Sequence, residues 1–150
     1  MGDLHDFIAE SNRIEGIHRV TEYEVKAHEH FLDLREVRVI DLENFVKQIA
    51  AVPLRDHRGQ DVRVGDHRPP PGGPMIRVAL ERLLLGPYLE ETSPWELHVA
   101  YEALHPFLDG NGRSGRALWA WQRLREGRDP FALGFLHSAY YEALEAGGER

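Results

Sequence analysis

"HPFLDGNGRSGR", residues 105–116, brings a histidine, a carboxylate, two glycines around an asparagine and two arginines into twelve positions. The segments on either side read as helices. Upstream, "TSPWELHVAYEAL" offers Ser93 as N-cap, Pro94 as the first helical residue and Glu96 to complete a capping box. That segment is apolar nearly all round, the mark of a buried central helix. Downstream, "GRSGRALWAWQRLRE" reads as a second helix, stopped by Gly127. The polar loop therefore joins two core helices, and the fold is organised around it.

The residue types in the loop suit an anionic ligand. Gly110 and Gly112 let the backbone take positive φ and approach a ligand with no Cβ in the way. Successive amides in such a turn, followed by a helix N-terminus, make a concave donor surface for phosphate oxygens. Arg113 and Arg116, three apart, can fork onto further oxygens. Asp109 is a hard oxygen donor of the kind Mg²⁺ takes beside phosphates, and His105 is a base that titrates near neutrality. Phe107 and Leu108 read as apolar plugs that hold the loop down. Each element has a plainer reading: "DGNG" is a common tight turn, a histidine before proline often ends a helix, and paired arginines often face solvent. Their joint occurrence within twelve residues favours chemistry.

Outward from the loop, the pattern is mostly α. Residues 5–14 carry Phe7, Ile8 and Ile14 near helical spacing and stop at Gly16. "TEYEVKAHEHFLDL" from Thr21 is a second helix, and Asp41 is the expected N-cap of a third that Pro53 closes. The region "LRDHRGQDVRVGDHRPPPGGP" is the least helical. Alternation at Asp61, Val62, Arg63 and Val64 predicts a short hairpin arm, and the prolines and glycines forbid a helix until Pro74. "MIRVALERLLLGPYL" is helical but broken at Gly86 and Pro87. A final helix is predicted from Asp129 as cap and Pro130 as first residue.

Composition narrows the function classes. The 150 residues form one domain with a self-sufficient core. A net charge of −7 argues against a broad nucleic-acid surface, so the basic run from Arg55 to Arg68 reads as a solvated margin. No run approaches the roughly 18 apolar residues of a membrane span. "MGDLHDFIAE" lacks the regions of a signal peptide, and Asp6 breaks the myristoylation pattern. With no cysteine, disulfide and thiolate chemistry are absent. The expectation is a cytoplasmic protein with no nucleic-acid or membrane partner.

The loop resembles the signature of the Fic (filamentation induced by cAMP) family, H-x-F-x-D-G-N-G-R-x-x-R, at every fixed position. The likeness extends over roughly residues 5–140. It implies a single-domain helical bundle with a small β-hairpin flap beside the active site. It also implies transfer of AMP from ATP to a Ser, Thr or Tyr hydroxyl of a target protein, self-modification included. By that resemblance His105 is the general base and Asp109 holds Mg²⁺ (or Mn²⁺). Gly110, Asn111 and Gly112 form the anion hole, Arg113 grips the β-phosphate and Arg116 the γ-phosphate. Val62, Arg63, Val64 and Gly65 form the flap that takes an extended target segment by strand addition.

A second stretch, "SNRIEG", sets Ser11 and Glu15 four apart on one helix face. An ordinary capping box would need its acid at position 14, which is Ile14. Ser11, Glu15 and Gly16 resemble the inhibitory motif [S/T]-x-x-x-E-[G/N] of the same family, which implies that Glu15 pairs with Arg116 and inhibits in cis. The implied organisation is an inhibitory helix over 1–16 and a Fic domain over 17–150. Relatives that transfer UMP or phosphocholine, phosphorylate, or remove AMP keep other reactions open, as does a nucleotide-binding module without turnover. Relatives that regulate themselves as dimers make a homodimer one expectation.

Overall fold

A computed structural model describes residues 3–147, with eight helices among them. These are α1 (Leu4–Ile14), α2 (Glu22–Leu32), α3 (Val39–Ala50), α4 (Pro74–Leu83), α5 (Gly86–Glu91), α6 (Pro94–Leu104), α7 (Asn111–Arg125) and α8 (Phe135–Gly147). Helix α7 is the axis, packed by α6, α2, α1 and α3. Adjacent residues on a helix point to different sides, so α7 serves two apolar clusters. Ala117, Leu118 and Trp121 join Leu42, Phe45, Ile76, Leu80, Leu97 and Tyr101 in the larger. Trp119 and Ala120 join Phe7, Ile8, Phe135 and Ala139 in the smaller.

The smaller cluster docks α1. Phe7 stacks on Trp119 with ring centroids 6.3 Å apart, and Phe135 meets the same indole edge-on at 5.0 Å. Each such buried ring contributes roughly 1.5–3 kcal/mol. The two indoles also satisfy their N–H groups: Trp119 Nε1 donates to Glu142 Oε1 and Trp121 Nε1 to the Leu34 carbonyl, both at 2.9 Å.

Local rules account for several helix ends. Thr21 with Glu24 and Ser93 with Glu96 form complete capping boxes. Two expected starts are corrected. Asp41 is not the N-cap of α3; Arg38 is, and Asp41 Oδ2 reaches back to the Arg38 N–H at 2.9 Å, so the helix gains its first turn through the buried Val39. Ala51, left-handed at φ 55°, ends α3 before Pro53 is reached. Asp129 and Pro130 do not start α8. Asp129 Oδ1 accepts the Phe131 N–H at 2.8 Å in a local turn, and α8 begins only at Phe135. Its cap comes from another helix: Glu10 of α1 accepts the Phe135 and Leu136 N–H groups at 2.7 and 3.2 Å. A carboxylate at a helix N-terminus is favourable there.

The expected hairpin shrinks to one turn. Val64 and His67 exchange two backbone hydrogen bonds, 3.2 and 2.9 Å, around Gly65 at φ 56°. No longer ladder forms among the described residues. Pro69, Pro70 and Pro71 follow after Arg68 and have no N–H with which to extend the pairing. Two further readings are corrected. Leu108 is 38% exposed and plugs nothing, whereas Phe107 is wholly buried against Leu54. Arg55, read as part of a solvated margin, is 0% exposed.

Candidate active site

The loop 105–110 leaves α6 and enters α7, and its shape is fixed from within. His105 takes a left-handed conformation, φ 50° and ψ 62°, at the C-cap of α6. Asn111 clamps the turn: its Oδ1 accepts the Phe107 N–H and its Nδ2 donates to the Phe107 carbonyl, both at 2.8 Å. Gly110 adopts φ 77°, and a Cβ there would stand 3.0 Å from the Ala50 Cβ, so glycine answers both conformation and space. Beneath the turn, Ser114 Oγ donates to the Gly110 carbonyl at 2.8 Å and pairs with the buried Tyr101 hydroxyl at 2.7 Å. Burial pushes that phenol far above its ordinary pKa, so it stays a neutral hydrogen-bonding group.

At the start of α7 the N–H groups of Asn111, Gly112 and Arg113 have no carbonyl one turn back to bond, which leaves a donor cluster with a positive dipole end. Glu15 lies over it. A Cβ built on Gly112 would overlap the Glu15 Oε2 atom, and the same oxygen stands 2.6 Å from Arg116 Nη2. Arg116 is buried and fully engaged by α1: its Nε donates to Ser11 Oγ at 2.7 Å and Nη2 donates to the Ser11 carbonyl at 3.0 Å. Ser11 is itself buried. Gly16, at φ 78°, turns the chain away immediately after Glu15.

His105 is half-buried. Its Nδ1 donates to the Glu102 carbonyl at 3.3 Å, which leaves Nε2 with the free lone pair. Burial holds the imidazole below its ordinary pKa. Arg55 and His67 push it the same way, while the Glu102 carbonyl bond and Glu15 oppose them. The ring is therefore neutral at pH 7 and able to accept a proton.

The remaining sequence-predicted residues divide. Asp109 is exposed at the loop; Oδ1 accepts the Gly110 N–H at 2.7 Å and the second oxygen is open. Among the described residues no group of three or more His, Cys, Asp or Glu side chains could hold a metal by itself. One hard oxygen is nonetheless what Mg²⁺ takes when phosphates and water complete its octahedron, so the donor set fits that ion in company with a nucleotide. Arg113 turns aside from Arg116: its Nη1 donates to the Ile49 carbonyl at 3.1 Å at the C-terminal end of α3, and its Nε is buried without a partner. The Asn111 carboxamide is taken up by Phe107, so only its backbone amide is left for an anion. Val62, Arg63, Val64 and Gly65 lie on the turn-bearing segment, tied to α6 by His67, whose Nε2 donates to the Ala103 carbonyl at 2.8 Å.

Two residues escaped the sequence reading. Arg55 holds three carbonyls from inside the protein: Nε to His105 at 2.7 Å, Nη2 to Leu104 at 3.0 Å and Nη1 to Gln60 at 2.9 Å. Nothing in the charged run "LRDHRGQ" separates it from its solvated neighbours. Glu102 is pushed up to about 8 by burial, with Glu15 adding to the rise and Arg116 opposing it. Its side chain is 28% exposed, but Oε2 is sealed with no hydrogen bond, His98 Nε2 standing 3.7 Å away, and a Cβ on Gly115 would overlap that oxygen. A second acid, beyond the capping Glu96, on a largely apolar helix is the available signal.

No helix among the described residues is long and apolar enough to cross a membrane. No curated protein matches the chain. The profile of the Fic/DOC family, however, matches residues 28–122, well over half of the 150 and inclusive of the whole loop, the turn at 64–67 and Arg55. With α6, the glycine-rich turn and α7 arranged as described, the chain belongs to the Fic/DOC family of transferases.

Proposed function

We propose that the protein is a protein adenylyltransferase, moving AMP from Mg·ATP to a Ser, Thr or Tyr hydroxyl of a target protein, and that Glu15 restrains it in cis. The observation that supports this reading is Glu15 seated on Arg116 and against Gly112 at the start of α7, near enough to a neutral His105 for its charge to act on that ring. His105 Nε2 takes the hydroxyl proton as the target oxygen bonds to the α-phosphorus, and the bond from that phosphorus to the bridging oxygen breaks to release pyrophosphate. The amides of Gly112 and its neighbours hold the charge that develops on the phosphate oxygens. Mg²⁺, or Mn²⁺, held by Asp109 would supply charge neutralisation to the triphosphate. The segment 62–65, exposed from Arg63 to Gly65, would present its backbone to an extended piece of target.

The restraint is electrostatic. A carboxylate on Arg116 uses the cation that a terminal phosphate would take and repels that phosphate. A nucleotide that enters beside it sits out of line, and a misplacement of about 1 Å costs on the order of a hundredfold in rate. The test is the intact mass of the Glu15→Gly protein, with and without candidate target protein, after incubation with Mg·ATP. An adenylate increment is the expected result. An increment only with UTP, a phosphate increment, or no transfer from any nucleotide would overturn the assignment.

A further inference from the structure

The last carbonyls of a helix have no partner inside it, and the C-terminal end of α6 is where the candidate base begins. Each of these carbonyls is accounted for. The Tyr101 carbonyl takes the His105 N–H at 2.9 Å, and the Glu102 carbonyl takes the His105 ring. The next ones are satisfied from the segment that carries the turn. His67 Nε2 donates to Ala103, Arg55 Nη2 to Leu104, Arg55 Nε to His105, and the Arg55 N–H to the Pro106 carbonyl at 2.9 Å. The third arm of Arg55 grips Gln60, and the Gly73 N–H donates to the Arg55 carbonyl at 3.0 Å. Four consecutive carbonyls, from 103 to 106, are thus held by residues 55 and 67 alone.

We infer that Arg55 and His67 are positioning residues that cap the C-terminal end of α6 and thereby aim the His105 imidazole, coupling it to the segment that would hold the target. Three features carry this. A left-handed non-glycine residue is a costly conformation that needs its surroundings to impose it, and His105 is held so through its own carbonyl and its two neighbours'. A fully buried guanidinium with three carbonyl partners is a rigid planar fork, which a lysine could not reproduce. Finally, His67 closes the two-residue turn around Gly65 and Asp66 through its backbone while its ring reaches α6. A strand of target laid on 62–65 therefore pulls, through one residue, on the carbonyl two positions before the base.

The inference rests on the adenylyltransferase reading for its kinetic consequence but not for its structural one. In the Glu15→Gly background, His67→Ala is expected to lower kcat about tenfold while leaving KM for ATP within about twofold, because the lost bond orients the base rather than the nucleotide. His67→Gln, whose amide can donate from nearly the same place, is expected to restore most of the rate. His67 is exposed, so these variants fold even if Arg55→Gln does not. Unchanged kcat in His67→Ala, a loss confined to KM for ATP, or failure of His67→Gln to recover would overturn the inference. The second readout is independent of any transfer: the His105 ring resonances are expected to move in His67→Ala and stay in place in His67→Gln. If the parent transfers no AMP and these resonances still behave so, the reaction assignment falls and the cap stands. If they do not move, the cap falls whatever is transferred.

Discussion

Glu15 and Gly112 share one small volume: the carboxylate of the first fills the space a Cβ on the second would need. The start of α7 can therefore hold Glu15 beside Arg116, and is open to an anion, only because position 112 has no side chain. Gly112→Ala removes both arrangements at once. It is expected to abolish transfer, and the double variant Glu15→Gly/Gly112→Ala is expected to be no more active than Gly112→Ala alone. Rates for the four combinations, measured with Mg·ATP, decide this; additive effects would mean that the two residues do not compete for one site.

Release of Glu15 is expected to raise the rate and lower the stability. Arg116 is buried, so loss of its partner leaves a guanidinium with only the Ser11 contacts. Glu15 is 37% exposed, which lets water replace it in part, so the loss is expected to be about 1–2 kcal/mol rather than the roughly 3–5 kcal/mol of a sealed pair. Thermal unfolding of wild type and Glu15→Gly, each with and without Mg·ATP, checks it. The variant is expected to melt lower alone and to gain more from the nucleotide.

His105→Ala is expected to stop transfer and leave ATP affinity nearly unchanged, which titration calorimetry measures separately from turnover. Because the His105 pKa is held below 6.5, the acid limb of kcat/KM for Glu15→Gly is expected to fall below the pH of an ordinary histidine. A limb at or above 6.5 would show that the ring is not the group taking the proton.

Acid stability provides a check on the core. His28 and His98 are both pushed down to about 4, first by burial. Between about 6.5 and about 4 the unfolded chain takes up protons at these rings and the folded chain does not, so stability falls with falling pH, by about 1.4 kcal/mol per unit for each ring. Replacing either histidine by a neutral hydrogen-bonding side chain is expected to flatten the decline of Tm across that window.

Glu102 acts in the opposite sense. Its carboxyl keeps its proton in the folded protein up to about 8, whereas the unfolded carboxyl ionises near 4.5. Its contribution is complete below 4.5 and is lost as pH rises through 8. Glu102→Gln is accordingly expected to raise Tm at pH 9 and change it little at pH 5.

Much of this could be read from the chain alone where the physics is local. Ser93, Pro94 and Glu96 start α6 as their types require, Gly127 follows the end of α7, and Ser11 on α1 and Glu15 at its C-cap both reach Arg116, as their spacing predicts. Several misreadings came where the partner is distant in sequence. The cap of α8 is Glu10, 125 residues from Phe135, and no local pattern at Asp129 or Pro130 could reveal it. Arg55 reaches 49 and 50 residues to its carbonyls, and Arg113 reaches 64. The flap pattern at 61–64 was real as alternation, but three prolines without N–H groups ended it after one bridge.

Helix α7 runs through the middle of the protein while carrying Arg113, Arg116, Gln122 and Arg123 in buried positions. Near its first turn the charge of Arg116 is met by Glu15, 2.6 Å away. That counter-ion comes from the N-terminal segment, so on the proposed function restraint and durability would rest on the same side chain. On the proposed function, freeing that site for a nucleotide would also remove a stabilising charge, and a released copy is expected to be shorter-lived until nucleotide replaces it.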